Sequence, residues 1–280
     1  PGPQCAAPKA SIRTPGGLTF NTSTSRTVVG GVTTLSTETT LTGINGKYFT
    51  TKFTNGATRT YTTTSPLGRK VTQTVDAQGR LLSSQVGTLL PVLYSYDAQG
   101  RLKLQTQGSG ADLRRVDFTY DPKFRLESAT NSLSEATTFT YDDGDRVTRQ
   151  TLPDQQRIDF AYDRNGNTTS LTPPGRPAHT FGFTEVDLET IYDPPALASG
   201  PTPTAFSYDL DRFPKTVDRP DSLRLGFKYF LDGRLETLET PTGNTAYTYD
   251  PVTGNLTSVS APDATITNRY DGALNVGYSL

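Results

Sequence analysis

The sequence predicts an all-β fold, a long antiparallel β-meander of hairpin repeats, and three observations lead to that prediction. A Tyr-Asp dipeptide or a close variant returns about every 21 residues between Tyr94 and Tyr270. Most copies close an aromatic-x-aromatic triplet, whose rings face one side of a strand. No stretch carries apolar residues at sustained helical spacing, and Thr, which favours strands, is abundant. Such self-similarity marks a repeat array in which each unit packs against its neighbours.

The chain divides by composition into three parts. Residues 1–17 are rich in Pro, Gly and Ala and are expected to form a poorly ordered lead-in. Residues 18–75 are rich in Thr, with turn signals at Gly30-Gly31, Asn45-Gly46 and Asn55-Gly56, and predict irregular strands of the same sheet. Residues 76–280 form the repeat array, interrupted by a Pro-rich insertion at about 185–203.

The best repeat runs Tyr-x-Tyr-Asp-x-x-Gly-Arg-Leu at residues 94–102. Asp at the first position of a turn and Gly at the fourth predict a type I turn that closes a hairpin through a bulge. We expect the outgoing strand to begin at the arginine and the paired rings to stack into columns across neighbouring strands. The dipeptide copies are Tyr96-Asp97, Tyr120-Asp121, Tyr141-Asp142, Tyr162-Asp163, Tyr208-Asp209, Tyr249-Asp250 and Tyr270-Asp271.

The number of repeats predicts how the sheet closes or curls. Two strands per repeat give roughly 18–20 strands over the regular part, which at about 4.8 Å per strand is a sheet on the order of 90 Å wide. A twisted sheet of that width curls, so we expect a spiral or a partial hollow shell.

Composition excludes several classes of function. The chain has 280 residues, a net charge of −1 and a pI near 5.9, with no basic patch that suits nucleic acid. No apolar run approaches the ~18 residues that span a bilayer, so we expect no membrane insertion. Cys5 is the only cysteine and cannot form an internal disulfide. Methionine is absent even at position 1, which favours an excerpt of a longer or processed protein.

Few residues suggest chemistry. His179 is the only histidine, and its position at the start of a strand favours a solvated strand-end residue over a Ser-His-Asp site. Asp142, Asp143 and Asp145, like Asp209 and Asp211, suit calcium by residue type, but the full loop pattern is missing and turns favour Asp for backbone bonding. We therefore predict no catalytic residue, no cofactor or cofactor-binding residue and no metal ligand.

The repeated period, the 94–102 unit and Val-Asp-Ala-Gln-Gly-Arg-Leu at 75–81 resemble the RHS/YD-repeat family over roughly residues 55–280. That family includes bacterial polymorphic toxins, the shell components of insecticidal toxin complexes, and teneurins. The resemblance implies a β-sheet wound into a hollow shell, which in toxin members encloses a C-terminal effector. The family's self-cleaving Asp-Pro-x-Gly-Leu motif is not matched by Asp250-Pro251-Val252-Thr253-Gly254, so that chemistry is not expected here.

Three hypotheses follow for function. The first is a non-catalytic scaffold, a section of a shell that encloses or presents another segment of a larger secreted or surface protein, bacterial rather than eukaryotic. Its partners would be the remaining segments of the same polypeptide. The alternative is a cell-surface adhesion or carbohydrate-binding module that uses the 185–203 insertion or exposed aromatic residues to bind a surface protein or glycan. An enzyme is the third hypothesis, and the one we disfavour.

Overall fold

Hairpins follow one another along the whole chain, because strand-forming segments alternate with short turns built on Asp, Asn, Pro and Gly. The computed structural model describes residues 4–5 (backbone only), 9–30, 35–196 and 203–280. It divides into two units, residues 1–138 and 139–280. A single 3-10 turn at Gly110–Asp112 is the one helical element of the described residues.

From β2 onward, strands of the first unit pair with their neighbours in chain order, and β1 pairs with β3. They are β1 (Gln4–Cys5), β2 (Lys9–Arg13), β3 (Thr19–Val29), β4 (Thr37–Ile44), β5 (Lys47–Thr54), β6 (Arg59–Thr64), β7 (Lys70–Val75), β8 (Leu81–Val86), β9 (Val92–Tyr96), β10 (Leu102–Gln107), β11 (Arg114–Tyr120), β12 (Leu126–Asn131) and β13 (Ala136–Tyr141), which crosses the division between the units.

Strands of the second unit are likewise antiparallel to their neighbours in chain order from β14 onward. They are β14 (Val147–Thr151), β15 (Arg157–Tyr162), β16 (Thr168–Thr172), β17 (His179–Phe183), β18 (Glu189–Asp193), β19 (Thr204–Tyr208), β20 (Pro214–Asp218), β21 (Arg224–Tyr229), β22 (Leu235–Thr240), β23 (Gly243–Tyr249), β24 (Leu256–Ser260), β25 (Thr265–Asp271) and β26 (Leu274–Ser279). The predicted all-β antiparallel meander is confirmed.

The sheet takes in more of the chain than the composition indicated. Residues 9–13, in the expected lead-in, form β2 beside β3. Residues 189–193, in the expected insertion, form β18, which returns from the hairpin that β17 begins. The loop after β18 therefore starts at residue 194, and residues 197–202 lie outside the described residues. Three strands of the Thr-rich part, β3, β4 and β5, are longer than the described strands of the array, with 11, 8 and 8 residues.

The predicted bulge is present at six of the Tyr-Asp turns of the described residues, those of Tyr96, Tyr120, Tyr162, Tyr208, Tyr249 and Tyr270. The register shifts by one residue where the strand reaches its second aromatic residue, as between Thr119 and Tyr120 or between Thr248 and Tyr249. The bulge increases the local twist, and it directs the tyrosine toward the turn.

The aromatic columns differ from the prediction. The return strand of each hairpin separates the aromatic strands: Phe227 lies opposite Leu238, and Leu238 lies opposite Thr245 on β23. The rings of successive aromatic-x-aromatic pairs are therefore two strands, about 9.6 Å, apart and cannot stack on each other. The expected direct ring-to-ring ladder is wrong, because a period of two strands per repeat places aliphatic residues between the rings.

Neither unit has a closed hydrophobic core. Among the described residues no hydrophobic side chain is buried, and the repeat aromatics are half-buried on one face while the residue between them is mostly exposed on the other. On that second face hydroxyls pair across strands, as Thr119 does with Ser128 at 2.8 Å and Ser207 with Thr216 at 2.7 Å. Each unit is thus a single sheet layer whose order depends on contacts along the sheet.

Candidate functional site

The aspartate of each Tyr-Asp pair organises its own turn. In the Asp97 turn the Asp97 amide donates to the Arg101 carbonyl at 2.9 Å, and the Gly100 amide donates back to the Asp97 carbonyl at 3.0 Å. The Asp97 carboxylate accepts the amides of Gln99 at 3.0 Å and Arg101 at 2.8 Å. The side chain thus satisfies turn amides that no strand partner reaches, which explains why Asp is required at this position.

The second carboxylate oxygen binds the arginine that ends the turn. Asp97 Oδ2 lies 2.7 Å from Arg101 Nε, with 19% and 26% of the two side chains exposed. Partial burial and the fixed turn geometry favour this pair over an ordinary surface ion pair. Equivalent pairs are Asp76–Arg80 at 2.6 Å, Asp121–Arg125 at 2.7 Å and Asp142–Arg146 at 2.7 Å.

The same arginine then reaches the next repeat. The Arg101 guanidinium carbon lies 4.3 Å from the centre of the Tyr120 ring, a cation–π contact. The Tyr120 hydroxyl in turn donates to the Leu102 carbonyl at 2.8 Å. Further Arg-over-Tyr pairs are Arg80–Tyr96 at 4.8 Å, Arg146–Tyr162 at 4.8 Å and Arg234–Tyr249 at 4.6 Å. We call this chain of contacts the Asp–Arg–Tyr relay.

Glycine at the fourth turn position serves the relay as well as the turn. Gly100 has φ +83°, and a Cβ there would lie 3.1 Å from Arg80 Nη1 of the preceding turn. Glycine therefore admits both the left-handed backbone and the neighbouring guanidinium. At the equivalent place in the second unit, Arg146 Nη1 donates to the Asp163 carbonyl at 2.7 Å.

Protonation states at neutral pH suit the relay. Hydrogen bonds from the Arg146 backbone and then from its side chain lower the pKa of Asp142 below 3.8, so the carboxylate stays charged. Burial raises the pKa of Tyr120 above 10.0, with the Arg101 charge opposing and the Asp97 charge reinforcing that rise, so the hydroxyl stays a donor. At neutral pH these two groups therefore have the charges that their contacts in the relay require.

The relay is interrupted in several turns of the second unit, because residues other than arginine close them; these are Asn167, Leu188, Phe213 and Asn255. Asn167 stands where arginine is expected, and its amide bridges the carboxylates of Asp163 at 2.9 Å and Asp187 at 2.7 Å. Phe213 also stands at an arginine position, and it stacks on Tyr229 with ring centres 5.0 Å apart. These turns keep the backbone geometry, as shown by the amide of Asp209, which donates to the Phe213 carbonyl at 3.0 Å.

Residues considered for chemistry occupy structural positions. His179 begins β17 as expected, yet it is half-buried rather than solvated: its Nδ1 is 2.7 Å from the Tyr192 hydroxyl, and the rings stack at 5.9 Å. Asp142 holds its own turn through Gly144 and Arg146. Across the described parts of the chain, no three His, Cys, Asp or Glu side chains converge as a metal site would require. The side chain of Cys5 lies outside the described residues.

Sequence reasoning missed the role of the arginine. It treated arginine as the first residue of the outgoing strand, whereas the strand begins one residue later and the side chain links two repeats. A signal was present: Arg125 and Arg146 follow Phe124 and Asp145, so arginine persists where glycine does not.

The repeated bulged turns and the relay define the chain as a YD-repeat β-sheet protein. Its sequence matches the teneurin YD-shell family over residues 25–277, and the chain belongs to that family. No curated protein matches significantly in sequence.

Solved toxin structures share the fold. One is TcdB2-TccC3 without its hypervariable C-terminal region, with a TM-score of 0.52 and 12% identity over 94% of this chain and 19% of that chain. Another is TcdB2-TccC3-Cdc42, with a TM-score of 0.50 and 11% identity over 94% of this chain and 19% of that chain. The chain thus spans about a fifth of the length of these structures. In the described part of the chain, no helix is long and apolar enough to cross a membrane.

Proposed function

We propose that the chain is a non-catalytic section of a shell wall that encloses or presents another segment of a larger secreted or surface protein. The observation that carries the proposal is the Asp–Arg–Tyr relay in sheets that bury no hydrophobic side chain among the described residues. Contacts of this kind hold strand to strand and need no second layer. Membership of a shell family and the shared fold of the toxin structures support the same role.

A structural role also accounts for where the polar groups are used. The aspartates accept turn amides and pair with arginines, and at least six repeat tyrosines of the described residues, which include Tyr96 and Tyr249, donate to main-chain carbonyls. Groups that could act as acids or bases are thereby tied to the backbone in repeat after repeat. The larger polypeptide, its cargo and its secretion remain part of the proposal.

The test is protease protection in the full-length polypeptide that carries this chain. Replacing Tyr96, Tyr162 and Tyr249 by Phe removes three hydroxyl-to-carbonyl bonds, worth about 0.5–1.5 kcal/mol each, and should open the wall locally more often. We expect an enclosed segment to resist limited proteolysis in the parent protein and to be cut faster in this triple variant. Peptide mapping by mass spectrometry identifies the segment.

A matched control replaces Tyr94 and Tyr247 by Phe, because their hydroxyls have no hydrogen-bond partner in the described part of the chain. This control should keep the protection of the parent protein. If the wall of the parent protein is intact and the protease nevertheless cuts every segment outside the wall at the same rate, no segment is enclosed, and this result would contradict the proposal. Loss of protection in the control alone would contradict the role given to the relay.

Adhesion remains the alternative, and the fold narrows it. Residues 189–193 lie in β18, so within the insertion an adhesive site would use the 184–188 turn or residues 194–203, and exposed aromatic residues are the other candidates. A glycan array with the chain and with a variant in which Gly and Ser replace residues 194–203 separates the two functions. Binding that disappears in the variant would favour adhesion over the scaffold.

A further inference from the structure

Three successive turns of the second unit carry a nearly fully exposed aliphatic side chain at their tips, the second and third turn positions. The turns that begin at Asp76, Asp97, Asp121, Asp142 and Asp163 carry no large apolar side chain at these positions, and the tip of the 184–188 turn carries Val186, which is 47% exposed. By contrast Leu210, Leu231 and Val252 are exposed to 103%, 112% and 91%. They follow one another at 21-residue intervals on the turns after β19, β21 and β23. We call these three side chains the tip strip.

A second departure coincides with the first. In the turn of Leu210, Phe213 replaces the arginine, stacks on Tyr229 and approaches Gly233, where a Cβ would be 3.1 Å from its ring. The Asp209 carboxylate is left with two backbone amides, those of Asp211 and Phe213, both at 2.9 Å. Its charge is therefore not balanced by a cation as it is in the regular turns.

An open cavity of about 500 Å³ lies beside the strip, lined by Phe213, Phe230 and Leu231 together with Asp209 and Glu236. Two ion pairs near it are internally neutral, Asp232–Arg234 and Lys228–Glu239. Of the other charged groups on these turns and the cavity wall, four are acidic and two basic, which leaves an excess of two negative charges; they are Asp209, Asp211, Glu236 and Asp250 against Arg212 and Lys215.

The distance between successive side chains of the tip strip determines which backbone conformation of a partner can contact all three. Turns at one edge of a meander are two strands apart, about 9.6 Å. Residues seven apart on a helix lie about 10.5 Å apart on nearly one face. On an extended strand, same-face residues lie about 6.7 or 13 Å apart and miss the turns. An amphipathic helix with apolar residues at i, i+7 and i+14 therefore matches the tips.

We propose that the tip strip is a docking surface for a basic amphipathic helix. Apolar side chains of the helix cover Leu210, Leu231 and Val252, and flanking Lys or Arg residues face the excess carboxylates, with Asp209 the first to gain a cation. The strip is an aliphatic surface with an acidic border, and it is solvent-exposed in the chain as it stands.

The experiment uses three synthetic, fluorescently labelled 18-residue peptides. The first has Leu at i, i+3, i+7, i+10 and i+14 with Lys and Arg elsewhere; the second has the same composition in scrambled order; the third has Glu in place of the basic residues. Fluorescence anisotropy measures binding to the chain, to the double variant Leu210→Gln/Leu231→Gln, and to Leu133→Gln. Leu133 is 75% exposed at a turn tip of the first unit and serves as the matched control.

We expect the first peptide to bind, with its helical circular dichroism increasing on binding, and the double variant to weaken binding at least tenfold. Leu133→Gln should leave binding unchanged. Because the replaced side chains are exposed, the β-sheet spectrum should be the same for all three proteins. Absence of binding by the first peptide, equal binding by the scrambled or acidic peptide, or equal binding by the double variant would each overturn the proposal.

Discussion

For two tyrosines of one strand, we predict different effects on stability when each is replaced by phenylalanine. On β9 the Tyr96 hydroxyl donates to the Leu81 carbonyl at 2.7 Å, whereas that of Tyr94 has no hydrogen-bond partner among the described residues. Tyr96→Phe removes this bond and keeps the ring beneath Arg80 at 4.8 Å, so the cation–π contact survives. Tyr94→Phe removes an oxygen that bonds to nothing in the sheet.

The expected difference follows from the bond that is lost. A hydrogen bond of this kind contributes about 0.5–1.5 kcal/mol, and the half-buried carbonyl left without a donor puts Tyr96→Phe in that range. Tyr94→Phe should change stability by no more than about 0.5 kcal/mol. For a unit of this size, 1 kcal/mol corresponds to roughly 2–4 °C in the melting temperature.

Urea denaturation followed by far-ultraviolet circular dichroism measures the difference. The urea midpoint should fall for Tyr96→Phe and remain unchanged for Tyr94→Phe. The dependence of the unfolding free energy on urea concentration should be the same in both variants, because the surface exposed on unfolding is unchanged. Tyr249 and Tyr247 offer an independent repeat, since the Tyr249 hydroxyl donates to the Leu235 carbonyl at 3.0 Å. Equal midpoints for Tyr94→Phe and Tyr96→Phe would refute the reasoning.

Three further predictions concern the turn edge. Gly100→Ala should lower the urea midpoint more than Gly79→Ala: both have positive φ, but a Cβ at 100 would lie 3.1 Å from an arginine nitrogen, while one at 79 meets nothing within 4 Å. Asn167→Arg should raise the midpoint by bringing a guanidinium to the carboxylates of two adjacent turns, and Gln99→Arg should not. Stability should fall as pH drops below about 3.8, because hydrogen bonds lower the folded-state pKa of turn aspartates such as Asp142, so the unfolded chain binds more protons there.

Each of these has a result that would contradict it. If Gly100→Ala and Gly79→Ala lower the urea midpoint equally, the glycine at position 100 does not contribute to the relay by leaving room for the arginine. A midpoint for Asn167→Arg at or below that of the parent chain would mean that the two carboxylates gain nothing from a cation. Urea midpoints that are constant from pH 7 to pH 2.5, or Asp142→Asn showing the same acid loss as the parent, would contradict the stabilising role of the ionised aspartates.

The strand order and the turns were predictable from sequence because both depend on local chemistry. Asp97 and Gly100 predict the bulged type I turn, and the observed hydrogen bonds and the φ of +83° at Gly100 match it. The alternation of Phe118, Thr119 and Tyr120 likewise predicts which side chains share a face. In β18 the same local reasoning failed, since the Pro-rich residues that follow obscured a five-residue strand.

The relay was not predictable by the same means, because it joins residues about 20 positions apart across two strands. Knowing that Arg101 meets Tyr120 requires the register of β10, β11 and β12, including the bulge at Tyr120. The recurrent choice of Tyr over Phe at the second aromatic position could have indicated a working hydroxyl. The prediction of a direct aromatic ladder was wrong for a related reason. The strand order was predicted correctly, but the distance between rings was judged without the return strand that lies between them.

The tip strip could not be predicted from the repeat pattern, because it consists of residues at which the repeats differ from one another. In the sequence, Leu210 and Leu231 appear only as ordinary turn residues that follow Asp209 and Phe230. Their nearly complete exposure and the replacement of arginine by Phe213 become meaningful only when the turns are placed at one edge.

The central claim is that arginine couples successive repeats wherever it closes the turn, and a double-mutant cycle on Arg101 and Tyr120 tests it most directly. The parent chain, Arg101→Leu, Tyr120→Leu and the double variant are compared by urea denaturation. The account predicts a favourable coupling of at least about 0.5 kcal/mol, as expected for a half-buried cation–π pair. Losses that add within about 0.3 kcal/mol would show that the two residues act independently, and would contradict the account.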